Sequence, residues 1–415
     1  MCLISRHLRR LTAALATATA LTVSACGGGG GADDGTTTLT LLSWNNEETM
    51  TPVLEAFERA HPDVRVEASY SPPVAEYIQA LQTRVLSGTA PDVFLIAAEN
   101  KTNLIQGGHV LDLAGEDFLA NVPEFNQRTY GADGAVYGLS LGSWGAGILY
   151  NEDLLAEVGA EAPPETWEGF LDLCAELKDA GITPYLEPVD AMPGVLSAFL
   201  GAHNASIGHT MDDEIFSGAS TFEEQWTPSL EEYHRLYDEG LVTRDTVGLT
   251  GDQVDAEFAN GRVAMMIAGP WAVPGLREAA PELNFRMVPV PGVDGGEPYL
   301  AGAANPGYAI NPDSDHIEAA KTFLSYLASP EGIEVLQASE GSITVTSDFD
   351  PPLDEALDPI IEDVRAGNVY LPQIGWQRAE DVLNLEAVAQ IQRMVQGEIS
   401  PREVAQALDD KLASS

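Results

Sequence analysis

Basic residues are scarce in this chain. Its 415 residues include 20 Lys+Arg against 64 Asp+Glu, a formal net charge of −44 at pH 7. Nucleic acid and anionic lipid surfaces are held by clustered Lys and Arg, so both are excluded as partners. An acidic surface of this kind keeps a protein soluble. Cysteine is nearly absent, with three residues in all. Cys2 and Cys26 sit at the extreme N-terminus and only Cys174 lies in the body of the chain, so no internal disulfide forms after maturation. The seven histidines are scattered, with no His/Cys cluster at ligand spacing, so no zinc or iron site and no cofactor is expected. No Gly-x-x-x-x-Gly-Lys-Ser/Thr string occurs, so this chain is not expected to hydrolyse ATP. There is no internal repeat.

The one long apolar run, Leu11 to Val23, follows the basic start Arg6, His7, Arg9 and Arg10. It is short for a hydrocarbon layer of ~30 Å, which favours an export signal over a permanent membrane helix. The run ends Val23-Ser24-Ala25-Cys26, similar to a bacterial lipobox, in which small residues fit the signal peptidase and the Cys26 thiol is lipidated. An ordinary signal with Cys26 incidental is the alternative. Residues 1–25 are therefore expected to be a lipoprotein signal peptide. Their removal takes away three arginines and no acid. The glycine-rich stretch 26–37 has little that can pack and reads as a flexible tether. The protein is expected on the outer face of the cell membrane, anchored by lipid and not by a membrane span.

The remainder is 45% hydrophobic at the level of the whole chain, as in globular proteins. It is longer than the ~250–300 residues at which single cores stop growing, so two lobes are expected. The first lobe opens with strand signals at 38–43, 64–68 and 93–97. Between them lie helical faces, one starting at Pro52 with Val53, Leu54 and Phe57, the next with Tyr77, Ile78, Leu81 and Val85. This βαβαβ order implies parallel strands with right-handed crossovers. Ligands of such sheets bind beyond the carboxyl ends of the strands. Three segments rich in aromatic and hydrogen-bonding side chains fall there: Trp44-Asn45-Asn46-Glu47, Ser69-Tyr70-Ser71 and Ala98-Glu99-Asn100. The glycine-rich segment Val136–Asn151 reads either as a crossing between lobes or as a bulged, tightly packed strand. Trp167, Cys174 and Trp226 lie on amphipathic helices and read as packing.

Several strings, taken in order, resemble the family 1 extracellular solute-binding proteins, the maltose-binding-protein-like receptors of bacterial ABC sugar importers. They are Glu165-Thr166-Trp167, Phe258-Ala259-Asn260-Gly261-Arg262-Val263-Ala264-Met265, Gly269-Pro270-Trp271-Ala272, Ala328-Ser329-Pro330-Glu331-Gly332 and Leu371-Pro372-Gln373-Ile374-Gly375-Trp376. The resemblance covers nearly all of 38–412. It implies an α/β, two-lobed periplasmic-binding-protein-like fold, each lobe a mostly parallel sheet flanked by helices. Three hinge crossings would lie near 140–146, 302–307 and 347–352. The N-terminal lobe would then hold 38–142 plus 306–348, and the C-terminal lobe 145–303 plus 352–415.

A pyranose offers apolar C–H faces and a rim of hydroxyls, which aromatic rings and carboxylates or amides match. The resemblance makes Trp271 the foremost ligand-binding candidate and adds Trp376. From the first lobe come Asn46, Glu47, Glu99 and Asn100, with Tyr70 either a contact or a cover for its strand edge. Asp190, in the loop Glu187–Pro193, and Trp144, at the first crossing, complete the set with Asn305 and Tyr308 at the second. Ile96 stands where some relatives place a stacking aromatic, which leaves the saccharide open. No catalytic residue is assigned. The expected protein is a monomer that captures a sugar or oligosaccharide and hands it to ABC permease subunits driven by a separate ATPase. A secreted carbohydrate hydrolase built on Glu47 and Glu99 is the competing reading. A receptor of the same fold for a non-sugar solute, including a cation held by acids and Trp, is the other.

Overall fold

The computed structural model describes residues 36–415 apart from 73, 341–342 and 350–351, and not the side chains of residues 75, 98, 99, 340 and 381. The signal segment, Cys26 and the tether up to residue 35 lie outside the described residues. In chain order the strands are β1 (Thr37–Ser43), β2 (Val64–Tyr70), β3 (Val93–Ile96), β4 (Gly131–Ala132), β5 (Ala135–Val136), β6 (Gly142–Asn151), β7 (Thr183–Leu186), β8 (Val263–Ala268), β9 (Phe285–Val288), β10 (Leu300–Ala304), β11 (Gly307–Ile310), β12 (Ile343–Thr344) and β13 (Val369–Tyr370). β1 starts at Thr37, the last residue assigned to the tether.

The first sheet has the order β11-β3-β1-β2. β1 is parallel to both β2 and β3, as the alternation of strand and helix signals requires, and β11 is antiparallel to β3. The helix Glu47–Ala60 begins earlier than its proline suggested. Asn46 caps it, with Oδ1 accepting from the Thr49 N–H at 2.9 Å, and Glu47 and Glu48 complement the helix dipole in its first turn. Pro52 therefore falls inside the helix and not at its start. Met50, Val53, Leu54 and Phe57 form the buried stripe against the sheet. Tyr77 pins the next helix, Val74–Leu86, to β3: its hydroxyl donates to the Leu95 carbonyl and accepts from the Leu95 N–H, both at 2.7 Å.

The second sheet runs β13-β10-β6-β8-β7. Here the expectation of a mostly parallel sheet needs correction. β6 is antiparallel to β8, β9, β10 and β12, and only β7–β8 and β10–β13 are parallel. The cause is topological: the chain enters this lobe along β6 and leaves it along β10, so these neighbours must run in opposite directions. The segment read as crossing or bulged strand is the ten-residue strand β6. Asn126 fastens its entry, donating from Nδ2 to the Gly142 carbonyl at 2.9 Å and to the Ser140 and Ser143 hydroxyls at 3.1 Å.

Two of the glycines in these strands allow close backbone approach. A Cβ on Gly302 would lie 2.1 Å from the Trp144 carbonyl oxygen, and one on Gly147 2.2 Å from that of Val288. Gly302→Ala is expected to destabilise the fold by roughly 1–3 kcal/mol through forced backbone shifts. An unchanged urea midpoint for that variant would contradict the tight pairing of β6 with β10.

The first sheet carries one hydrophobic core, and the second is covered by two, the smaller around Leu149, Phe258, Met266 and Phe285. The first sheet's core is built around Phe57, Phe94 and Phe323, the larger core of the second sheet around Trp167, Phe170, Trp226 and Trp376. Cys174 is wholly buried in that larger core, and burial pushes its thiol pKa far up, so it is packing and not a nucleophile. The sheets are connected where β10 ends at Ala304 and β11 begins at Gly307. A further connection follows β12, since Ser347 still bonds Asn121 while Asp354 already pairs with Arg277.

Candidate functional site

A pocket of about 210 Å³ opens on the second lobe, at the ends of β6, β7 and β8. The local sequence explains its aromatic wall. After β8 the chain turns through Gly269-Pro270, and Trp271 precedes the helix Ala272–Ala279. Its ring folds back over Gly269, where a Cβ would come within 2.1 Å of the indole, so the glycine is what lets the ring lie there. Trp144, on β6, meets Trp271 edge to face, with ring centroids 5.3 Å apart at 75°. Trp271 is 57% exposed, unusual for a tryptophan without a partner to cover it.

Glu187 closes the floor. It follows β7, is 1% exposed, and its Oε1 accepts from the Gly194 and Val195 N–H groups at 2.5 and 3.2 Å, at the N-terminus of the helix Gly194–Ser206. Oε2 is buried on the side of the Tyr185 and Tyr233 hydroxyls. Burial raises the Glu187 pKa to about 7, against the lowering effect of the two backbone N–H groups. The Thr246 hydroxyl donates to the Glu187 carbonyl at 2.5 Å and holds the loop in place. Asp190 is exposed at the rim. Asp255 is half-buried, its pKa raised by burial and then by Asp252. Lining side chains thus supply two aromatic rings set edge to face and three carboxylates, with no Lys or Arg. Among the described residues no group of three His, Cys, Asp or Glu is placed to hold a metal ion.

The structure brings Trp144, Trp271 and Asp190 together and distributes the other candidates elsewhere. Trp144 is carried on β6 itself and not on a loose crossing. Trp376 is a core residue, 1% exposed, its ring 6.2 Å from Trp226 and 6.2 Å from Phe222, because the chain turns inward after the short helix Pro372–Gly375. Tyr308 is likewise buried, 3% exposed against Phe323, because β11 is covered on both faces. Asn305 spends its backbone on the crossing, its N–H bonding the Gly142 carbonyl and its carbonyl accepting from the Ser140 hydroxyl.

Asn46, Glu47 and Tyr70 do lie at one edge of the first sheet, since β1 and β2 are parallel and in register to Ser43 and Tyr70. Tyr70 is near enough to Glu47 for that carboxylate to raise its pKa further, after burial has done so. Asn46 is engaged as a helix cap. Asn100 turns inward, its Oδ1 accepting from the Ala97 N–H at 2.8 Å. The Glu99 side chain lies outside the described residues. None of these lines the Trp144–Trp271 pocket.

Glu187 and Asp255 were missed from the sequence. Both carry ordinary acidic side chains in a chain with 64 of them, and nothing local distinguishes a buried acid from a solvated one.

A sequence profile described as bacterial extracellular solute-binding protein matches residues 43–334, and the chain belongs to that family. Its members bind solutes, so at family level this is a binding protein outside the cytoplasm. Among curated relatives, the multiple sugar-binding protein of Streptococcus mutans is 23% identical over 342 residues, covering 78% of this chain and 79% of its own. A family 1 extracellular solute-binding protein from Bifidobacterium longum subsp. infantis has a similar structure, with TM-score 0.82 and 31% identity over 92% of this chain and 100% of that one. RafE solved in complex with raffinose shares the fold at TM-score 0.74 and 22% identity, over 91% of this chain and 99% of its own.

Proposed function

We propose that this solute-binding protein captures a sugar or oligosaccharide between its two lobes and delivers it, unaltered, to an ABC importer whose ATPase is a separate chain. The observation that carries the reading is the Trp144–Trp271 pair meeting edge to face, at 75°, over a carboxylate-lined pocket. Trp271 offers a broad apolar face to a pyranose ring. Asp190 and Asp255 offer acceptors to its hydroxyls, over a floor closed by Glu187. Relatives named for multiple sugars and a fold neighbour holding raffinose point the same way. Glu47, Tyr70 and the segment after β3 are the first lobe's share of the binding surface, since a ligand shifts open to closed only through its differential contacts with the two forms. On this reading the lobes divide as 38–142 plus 306–348 and 145–303 plus 352–415, and the monomer is tethered to the membrane through lipid on Cys26.

A thermal-shift series with raffinose, maltotriose and single hexoses tests this. A ligand that prefers the folded state raises Tm by mass action, about 2.7 kcal/mol of stabilisation at a hundred times its Kd. The expected result is a rise of several degrees with at least one oligosaccharide. No rise with any glycan rejects the sugar reading. A rise with a quaternary ammonium compound instead would favour a cationic guest, a reading to which the all-acidic charged lining gives some weight.

A further inference from the structure

Lys101 lies one residue past the ligand-edge segment of the first lobe, yet its contacts are with the second. Its Nζ donates to the Ile374 carbonyl at 2.9 Å, at the short helix Pro372–Gly375, and Glu380 and Asp212 are its charged neighbours there. The adjacent Thr102 hydroxyl bonds the Glu380 carboxylate across the same seam. On the far side Asp212 is buried. It takes the Tyr370 hydroxyl at 3.0 Å and packs so closely on Gly375 that a Cβ there would fall 2.2 Å from its Oδ2. Asp213, next to it, is bonded by the Gln377 amide. In a chain with 20 basic residues, a half-buried lysine set among acids of the other lobe is a costly placement that something must compensate.

Polar atoms of both sheets' elements flank this contact. Asn100 Nδ2 on one lobe and Gln373 Oε1 on the other are buried without partners.

We propose that Lys101 is a positioning residue for solute capture: with Thr102 it clasps the Ile374 carbonyl and the Glu380 carboxylate when the lobes are shut, and so sets how readily the receptor closes and how slowly it releases its guest. The inference rests on the reading of the two sheets as lobes that open and close. Contacts made in the closed form alone shift the open–closed equilibrium by their full differential strength. The clasp touches none of the pocket walls, so it tunes affinity for every guest alike rather than selecting among them.

The test uses the intact protein and Lys101→Met, Lys101→Arg and Thr102→Val variants. Small-angle scattering without added solute reads lobe opening directly. Stopped-flow tryptophan fluorescence with raffinose reads dissociation. K101M, which keeps the aliphatic stem, is expected to enlarge the radius of gyration and to speed raffinose release roughly ten-fold, the scale of one charge-assisted hydrogen bond. K101R, which keeps charge and donors, is expected to fall between K101M and the parent, and T102V to speed release less than K101M. Cooperative melting of all variants excludes unfolding as the cause. Scattering and release both unchanged in K101M overturn the clasp, as does K101R behaving no better than K101M. If the parent protein ignores raffinose the sugar reading suffers, while the scattering comparison still decides the clasp.

Discussion

Trp271→Ala is expected to weaken saccharide binding about a hundred-fold while leaving thermal unfolding cooperative. The two halves of that expectation come from the same observation. The indole is 57% exposed, so the fold loses little when it is removed, and the binding surface loses its largest apolar face. Truncation of an aromatic anchor at the centre of an interface costs about 2–4 kcal/mol, and each 1.4 kcal/mol is a factor of ten. Trp144→Ala should cost less affinity and more stability, since that residue is carried within β6 and is only partly exposed. Calorimetric titration of both variants against the best oligosaccharide from the thermal screen measures this. An affinity for Trp271→Ala equal to the parent's would remove Trp271 from the site.

The second large effect concerns pH. Burial raises both Glu187 and Asp212 to about 7, from ordinary values of 4.5 and 3.8. Between those ordinary values and 7 the folded chain holds protons that the unfolded chain has released. Stability therefore falls as pH rises across that interval, and it stays lower above 7. The contribution lost is on the order of 3 kcal/mol for Glu187 and about 4 kcal/mol for Asp212 by linkage, before relaxation reduces it. Self-repulsion within a chain of net charge −44 acts in the same direction, since protonation relieves it. Asp92 and Asp354 behave oppositely, held below their ordinary range by hydrogen bonds and by Arg277 respectively, but their stabilisation is lost only under strongly acid conditions. The expected outcome is a Tm that climbs from pH 8 to about pH 5. Glu187→Gln should flatten part of the slope. A Tm that is level or rises toward pH 8 would show that neither carboxyl titrates as its burial implies.

Much of the first lobe was legible from the residues because its signals are local. Wholly apolar Val93–Ile96, the alternation at Val64–Glu67 and the stripe at Val53, Leu54 and Phe57 each report one element. Their order then dictates parallel pairing. The second sheet was harder, because the direction of β6 against β10 is set by where the chain enters and leaves the lobe, which no window of sequence records. For the candidate site, Trp271 was singled out by the resemblance of its Gly-Pro-Trp string to the family's, and it lines the pocket. Trp376, singled out in the same way, does not: a tryptophan after a short helix looks alike whether it faces a groove or, as here, stacks on Trp226. Glu187 was invisible for the opposite reason, since its distinction is the absence of water around it.

The manner in which Trp144 is held has a consequence for how guests are told apart. Among the described residues β6 pairs with four other strands, β8, β9, β10 and β12, and Trp144 itself is in register with Ala303 of β10. The tryptophan it bears is therefore set in place before any guest arrives, and binding orders little of the wall behind it. Whatever disorder must be surrendered falls largely on the guest. Short, stiff saccharides should accordingly bind with a smaller entropic penalty than long, supple ones making the same contacts, and ranking guests by chain length in a calorimeter would reveal that bias.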